Sequence, residues 1–142
     1  MPSKAEQVAA AVVAALEAYP PLAGVPVFRD RDDAIGGDEP SLILVELADE
    51  DTETLGHGMD QDKGQVAVVY VVRGANWQTV ADGLRVHGHV ALMQSPALRS
   101  VVAKLKRVRA EWKSANAEQP FAYLAQVYQA TYLTPTQSLD AA

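Results

Sequence analysis

The chain has 142 residues, of which 49% are hydrophobic and 21% charged, as is ordinary for one globular domain with its own core. Its net charge of −6 argues against general nucleic-acid binding and against docking on an anionic membrane, and no apolar run approaches the roughly 20 residues of a membrane span. Cysteine is absent, which excludes disulfides, thiol nucleophiles and thiolate metal ligands and fits a reducing cytoplasm, or a particle assembled there.

An N-terminal helix is predicted over residues 4–18. Ser3 followed by Glu6 is a capping box, and apolar residues then recur at the spacing of one helix face. Pro20 ends the helix, because proline lacks the backbone N–H and clashes with the preceding turn. We expect the apolar stripe of this helix to pack on a sheet.

Two strands and a hairpin are predicted next. Residues 25–29 favour a short strand, and the apolar run at 41–47 is typical of a buried strand. Residues 52–57 and 65–73 fit the two arms of a hairpin, joined at 58–64 by a turn-rich connection longer than two residues. Both alternating faces of the second arm are apolar, which predicts a central strand covered on both sides by helices or by a neighbouring subunit.

A second helix is predicted over residues 77–94, where apolar residues again form one stripe. Asn76 is its candidate N-cap, and Pro96 marks its exit. Gly83 and Gly88 each weaken a helix by about 1 kcal/mol relative to alanine, which is tolerable where the backbone packs closely.

Two strands, at residues 105–112 and 121–133, are predicted to close the chain. In the first, Arg107, Arg109 and Glu111 alternate with apolar residues and are expected to share one solvated or interface face. The second is long and rich in tyrosine.

This order of elements predicts the α+β class: a mostly antiparallel mixed sheet with two helices packed on one face and a protruding β-hairpin. The whole chain, residues 1–142, is expected to form a single domain. Residues 134–142 are expected to be a loose C-terminal tail.

The sequence carries no motif of catalysis or of cofactor binding. It has no nucleophile elbow, P-loop or dinucleotide fingerprint, so we expect no catalytic residue, no cofactor and no enzymatic activity. His87 and His89 point apart on a helix, which disfavours a shared metal ion. The segment from Asp30 to Asp38 resembles a calcium loop but lacks its sixth-position glycine and twelfth-position glutamate, so a solvated loop is favoured over a weak divalent-ion site.

Charge is polarised along the chain. Residues 30–62 hold twelve of the eighteen acidic residues, and residues 99–113 hold six of the twelve basic ones. A domain with one acidic and one basic flank is suited to meeting its copies head to tail. The basic strand fits a solvated edge, whose charges block aggregation, as well as it fits a partner surface; contact with a polyanion is a third interpretation.

The layout also carries a resemblance. After the N-terminal helix come VPVFRDRDDA, SLILVEL and ADEDTE, then the hairpin tip GHGMDQDKG running into VAVVYVVRG, the helical segment LRVHGHVALM, and the strands RVRAEWKS and AYLAQVYQATYLT. Over residues 4–134 this layout resembles the tail terminator, or tail completion, proteins of long-tailed phages.

The resemblance implies a structural virion protein, assembled in the host cytoplasm, that forms a hexameric ring, caps the tail tube, ends its polymerisation and joins the tail to the head. The implied partners are further copies of the chain, the tail tube protein and the head–tail connector protein. DNA would pass through the lumen without specific binding. The expected subunit and partner contacts lie in an acidic segment, a hairpin tip and the basic strand: Asp49, Glu50, Asp51, Glu53, Asp60, Asp62, Lys63, Lys104, Lys106, Arg107 and Arg109.

Two alternatives stay open from the sequence. A head–tail connector or neck ring protein is also a small ring component without chemistry. A small α+β enzyme or ligand-binding module would need a deep pocket with converging polar groups.

Overall fold

The core of the molecule is a mixed sheet with the strand order β1-β2-β3-β5-β4, in a computed structural model that describes residues 2–29, 41–117 and 121–140. The strands are β1 Val27–Arg29, β2 Ser41–Gly56, β3 Met59–Val72, β4 Lys104–Lys113 and β5 Ala122–Pro135. The helices are α1 Lys4–Ala18, α2 Trp77–Met93 and α3 Pro96–Val101, with a 3-10 turn at Pro20–Leu22. Strands β1 and β2 are parallel and the other neighbouring pairs antiparallel, which confirms the α+β class.

The helices share one face of the sheet. Val12 of α1, Leu92 of α2 and Leu98 of α3 belong to the same buried cluster as Val68 and Tyr70 of β3. A smaller cluster on the other face, built on Leu42, Val69, Val71 and Ala125, contains no residue of these helices. One-sided helix packing is therefore as predicted, and residues 68–72 of β3 are buried on both faces, with helices over one face only.

Helix α1 begins where its capping sequence predicts. The Ser3 hydroxyl accepts a hydrogen bond from the Glu6 N–H at 3.2 Å. The Glu6 carboxylate, which would complete a capping box, instead pairs with the Arg29 guanidinium of β1 at 2.9 Å. This ion pair ties the first turn of the helix to the short first strand.

Helix α2 ends at Met93, within one residue of the prediction, but a further short helix follows it. Pro96 is the first residue of α3, a helix of six residues, and Ser95 caps it by accepting from the Leu98 N–H at 3.1 Å. Asn76 does precede α2, but its side chain makes no capping hydrogen bond. The periodicity of the sequence misses α3 because six residues hold less than two turns.

The hairpin differs more. Strand β2 runs without interruption from the predicted strand at 41–47 through the charged segment to Gly56, and β3 starts at Met59. Only His57 and Gly58 form the turn, both with positive φ, as a tight two-residue hairpin turn requires. The predicted long connection at 58–64 is wrong, because residues 59–64 pair with β2 on one side and β5 on the other.

Strand β5 follows β3 to the same tip. Met59 pairs with Pro135, and the Thr136 N–H donates to the Gly58 carbonyl at 2.7 Å. The Lys4 N–H donates to the carbonyl of Leu139 at 2.7 Å, so the chain returns to the start of α1. The predicted tail at 134–142 therefore begins with two residues of β5, and its described part is hydrogen-bonded to the rest of the subunit.

Helix α2 approaches the sheet most closely at Gly88, which is buried against the Tyr70 side chain. A Cβ atom at position 88 would lie 1.9 Å from the Tyr70 hydroxyl oxygen, whereas a Cβ atom at Gly83 would meet nothing within 4 Å. The absence of a side chain at Gly88 therefore allows the helix backbone to pack closely on the sheet, as expected for a glycine within a helix. Among the described residues, the buried Tyr70 hydroxyl has no hydrogen-bond partner.

We predict opposite effects for alanine at the two glycines of α2. Gly83→Ala should raise the free energy of unfolding by about 0.5–1 kcal/mol, because it removes backbone entropy at an open helical position. Gly88→Ala should lower it by about 1–3 kcal/mol through overpacking against Tyr70. Urea unfolding of both variants tests this.

Adding Tyr70→Phe to Gly88→Ala should recover part of that loss, because the hydroxyl is the atom nearest the new methyl group. Equal stabilities of the two alanine variants would contradict the proposed contact between α2 and β3.

Candidate assembly surface

The acidic segment forms one free edge of the sheet. Strand β1 pairs with β2 only at residues 43–45, so within the described chain β2 has no outer neighbour from Glu46 to Gly56. This length carries five acidic and no basic residues. The predicted contact residues Asp49, Glu50, Asp51 and Glu53 all lie on it and are exposed. Glu46 is exposed on the same edge, although the apolar run that contains it predicts a buried strand.

The arm formed by residues 46–65 and the flanking part of β5 is held by a network of hydroxyls and carboxylates. The Asp62 carboxylate is only 3% exposed, and it accepts hydrogen bonds from Thr52 of β2 at 2.6 Å and from Thr134 of β5 at 2.9 Å. A buried carboxylate needs such partners to offset its lost hydration. Asp62 thus fastens three strands together, and its carboxylate is engaged inside the subunit.

Tyr132 and Asp60 extend this network. The Tyr132 hydroxyl donates to the Glu50 carboxylate at 2.9 Å; burial, with this hydrogen bond next in size, raises the pKa of Tyr132. The Thr136 hydroxyl donates to Asp60 at 3.3 Å, closer to the tip. On the other face Lys63 stands opposite Asp51 in the β2–β3 register. The arm therefore presents ordered rather than loose charges.

The basic segment forms the opposite free edge, strand β4. It carries five basic residues and one acidic residue, and Lys104, Lys106, Arg107 and Arg109 are exposed there. β3 and β5 lie between this edge and β2, so the charge polarity of the sequence becomes a polarity across the sheet.

A bulge at Val108 changes which residues of β4 share a face. Arg107 pairs with Tyr128 and Arg109 with Val127, which point to opposite faces of β5. The expectation that Arg107, Arg109 and Glu111 share one face is therefore wrong: Arg107 lies on the helix face, and the other two lie on the opposite face. Gln126 supports the bulge by donating from its side chain to the Arg109 carbonyl at 3.1 Å.

On the helix face, Arg107 lies near a histidine–tyrosine pair. His89 of α2 stacks on Tyr128, with ring centroids 5.8 Å apart, and its Nδ1 lies 3.0 Å from the hydroxyl. Burial and then the Arg107 charge lower the pKa of His89. Burial raises the pKa of Tyr128 to about 12. His87 contacts Tyr19 instead, so the two histidines face different neighbours, as their spacing predicts.

An aromatic cluster that the sequence pattern does not reveal lies beside this edge. The Trp112 ring, 41% exposed on β4, is 6.1 Å from the ring of Trp77 of α2, and the Arg85 guanidinium lies 5.2 Å from its centroid. The order of residues gives no cue to it, because it joins residues of α2 and β4 that are far apart in sequence.

Cavities in the described part of the chain are modest. One of about 130 Å³ lies between α1 and the base of the arm, lined by Val8, Leu47 and Tyr132, below the ~300 Å³ at which small-molecule sites usually start. Grooves of about 390 and 350 Å³ lie on the surface, the first lined largely by alanine and the second on the sheet face away from the helices. The described residues bring no three His, Asp or Glu side chains together in a metal-binding group.

The calcium-like loop at 30–38 lies outside the described residues. Within the described ranges, none of the helices has the length and apolar character needed to cross a bilayer.

Comparison with known proteins adds one finding. No family model matches the chain, and neither does any curated protein. Among solved structures, a chain from the virion of a native gene transfer agent (GTA) particle matches with a TM-score of 0.61 and 17% sequence identity, over 89% of this chain and 94% of that one. The two chains share a fold along nearly their whole lengths.

Asp62 and Asp60 offer a matched test of the arm. Asp62→Ala should lower the free energy of unfolding by about 1.5–3 kcal/mol, since it leaves two threonine hydroxyls without their charged acceptor. Asp60→Ala, with one longer and exposed contact, should change it by less than about 0.5 kcal/mol. Chemical denaturation measures the difference, and faster amide exchange in β2 and β3 near the tip should accompany the Asp62 change only.

His89 should make stability depend on pH. The pKa of His89 is lowered in the folded protein. Below the ordinary histidine pKa of about 6.5, the unfolded chain therefore binds more protons than the folded protein. As a result, the contribution of His89 to stability is lost as pH falls through its folded pKa. Between about pH 7.5 and pH 5, the wild type should lose more unfolding free energy than His89→Gln. Parallel stability curves for the two proteins would rule this linkage out.

Proposed function

We propose that this chain is a structural virion protein that forms a hexameric ring, caps the phage tail tube, ends its polymerisation and joins the tail to the head connector. The observation that carries the proposal is the pair of free sheet edges with opposite charge on one subunit. The shared fold with a chain of a gene transfer agent virion supports it, because that likeness spans nearly all of both chains.

The two edges favour head-to-tail contact over a symmetric dimer. A twofold interface built on one edge alone would bring that edge against its own copy, and here that would oppose acid to acid or base to base. A heterologous contact instead places the acidic edge of one subunit against the basic edge of the next. Such contacts close into a ring when the rotation between neighbours allows it.

The proposed role is structural and needs no catalysis. The free edges carry charges for surface contact, the cavity beneath the arm lacks the volume of a usual substrate site, and the two larger grooves lie open on the surface. An overall acidic protein also suits a ring whose lumen passes DNA, because like charge on the inner surface lets the phosphates slide past.

Charge reversal tests the proposed contact. Lys104→Glu, Lys106→Glu and Arg109→Glu together should abolish ring formation, and so should Asp49→Lys, Asp51→Lys and Glu53→Lys. An equimolar mixture of the two proteins should assemble again, because the edges are then complementary between unlike partners. Native mass spectrometry over a salt series measures this, and wild-type rings should loosen as ionic strength rises.

Single changes provide the matched control. Lys106→Glu and Lys4→Glu alter net charge equally, but Lys4 is the first residue of α1 and lies on neither edge. Only Lys106→Glu should weaken assembly. Wild-type protein that stays monomeric at all concentrations, or triple variants that assemble normally, would contradict the ring proposal.

The position in the particle needs a separate measurement. Immunogold labelling of virions that contain the chain should place it where the tail tube ends, next to the head. Label within the neck but away from the tube would favour the connector alternative, and label elsewhere would overturn both.

A further inference from the structure

We propose that the ring is closed by strand pairing: the free length of β2 in one copy pairs antiparallel with β4 of the next, so that one sheet continues from subunit to subunit. This inference rests on the proposed ring and specifies the contact that builds it. Both edges present unpaired backbone groups in the described chain, and such edges pair with other strands unless they are blocked.

The strand directions allow this pairing. Along the order β2-β3-β5-β4 every neighbouring pair is antiparallel, so β2 and β4 run in opposite directions. When copies follow one another in the same orientation, β4 of one therefore meets β2 of the next antiparallel. Six such copies would continue the alternation without a break.

Facing residues in an antiparallel sheet lie on the same side, which restricts the register. On β2, Glu50 lies on the helix face, because it pairs with Gly64, which is two residues before Val66 of the core. Asp51 and Glu53 are one and three residues further along the strand, so both lie on the opposite face. On β4, Arg107 lies on the helix face, whereas Lys104 and Lys106 lie on the other.

The faces and the charges agree in the following register. With Asp51 opposite Lys106, Glu50 falls opposite Arg107 and Glu53 opposite Lys104. Each of the three pairs joins an acid to a base on the same face, an arrangement that stabilises facing strands. A register shifted by two residues, with Asp51 opposite Lys104, also brings Asp49 to Lys106 and Glu46 to Arg109. The charges alone therefore allow both registers, and the bulges favour the one with Asp51 opposite Lys106.

The bulges support the same register. β2 shifts register between Leu47 and Glu50, and β4 shifts between Arg107 and Arg109. With Asp51 opposite Lys106, Asp49 lies opposite Val108 and the two irregularities coincide. Leu47 and Ala110 beyond them again lie on the same helix face, so the faces agree on both sides of the bulges.

The joint has a natural end. Val45 of β2 already pairs with Arg29 of β1. Strand β4 of the neighbouring copy can therefore pair only with the residues of β2 that follow Val45. The paired length therefore covers residues 47–53 of one copy and 104–110 of the next. Trp112 lies past the joint, where it remains packed beside Trp77.

Disulfide trapping tests the register in a chain without native cysteine. Directly opposed Cα atoms in an antiparallel pair lie about 4.5–5.5 Å apart, within the range that a disulfide spans. The proteins Asp51→Cys/Lys106→Cys and Glu50→Cys/Arg107→Cys should convert from monomer to covalent oligomers on mild oxidation. The crossed combinations Asp51→Cys/Arg107→Cys and Glu50→Cys/Lys106→Cys, with thiols on opposite faces, should stay monomeric on non-reducing gels.

The four proteins contain the same four substitutions in different pairs, so effects on folding are matched between them. Trapping in the matched pairs only supports the strand joint, and the largest covalent species gives the number of copies. Rings by native mass spectrometry without selective trapping would overturn the joint and leave the ring. Trapped open chains that never close would support the joint and overturn the ring. Monomers throughout would overturn both.

Discussion

Strand β3 is paired along its length on both sides, with β2 and with β5, and the rest of the structure depends on this double pairing. Its C-terminal half is apolar on both faces and places Tyr70 beneath α2. Its N-terminal half extends into the arm, where the Asp62 carboxylate accepts hydrogen bonds from Thr52 of β2 and Thr134 of β5. One strand therefore joins a core stabilised by apolar burial to an arm stabilised by charge-assisted hydrogen bonds.

The hydrogen bonds within the arm explain how the acidic edge can be exposed and still have an ordered backbone. Strands that project beyond a core lose the apolar packing that normally orders them. Here the third strand, β5, extends to the tip, and the hydroxyls of Thr134 in β5 and of Thr136 just after it donate to the Asp62 and Asp60 carboxylates of β3. The outer edge of β2 beyond Val45 has no strand neighbour in the described chain, while its inner edge pairs with β3 except at the two register shifts.

Sequence reasoning located most elements because their signals are local. Ser3 and Pro20 bound α1, and the apolar runs mark the halves of β2 and β3 that cross the core. The hairpin turn was misplaced because Gly, Asp and Lys in residues 58–64 are typical of turns. Their strand conformation comes from partners in β5, some 70 residues away, such as Thr134 bonded to Asp62.

The candidate surface was predictable in location but not in geometry. Clusters of like charge along the chain identify the two segments. Nothing in the order of residues, however, indicates that both lie on free edges of one sheet, which follows from the strand order. The bulge at Val108 depends on pairing with β5, so the separation of Arg107 from Arg109 could not be read from alternation. The burial of Asp62 likewise depends on distant hydroxyls.

The tight turn at His57 and Gly58 gives any ring of these subunits a direction. Where the strands run along the ring axis, all copies related by rotation would carry this turn on the same rim, with the Thr136 N–H of each chain hydrogen-bonded to the Gly58 carbonyl. The opposite rim would be formed by the other ends of the strands. Its two axial neighbours would therefore meet unlike surfaces, and such a ring could be stacked in one order only.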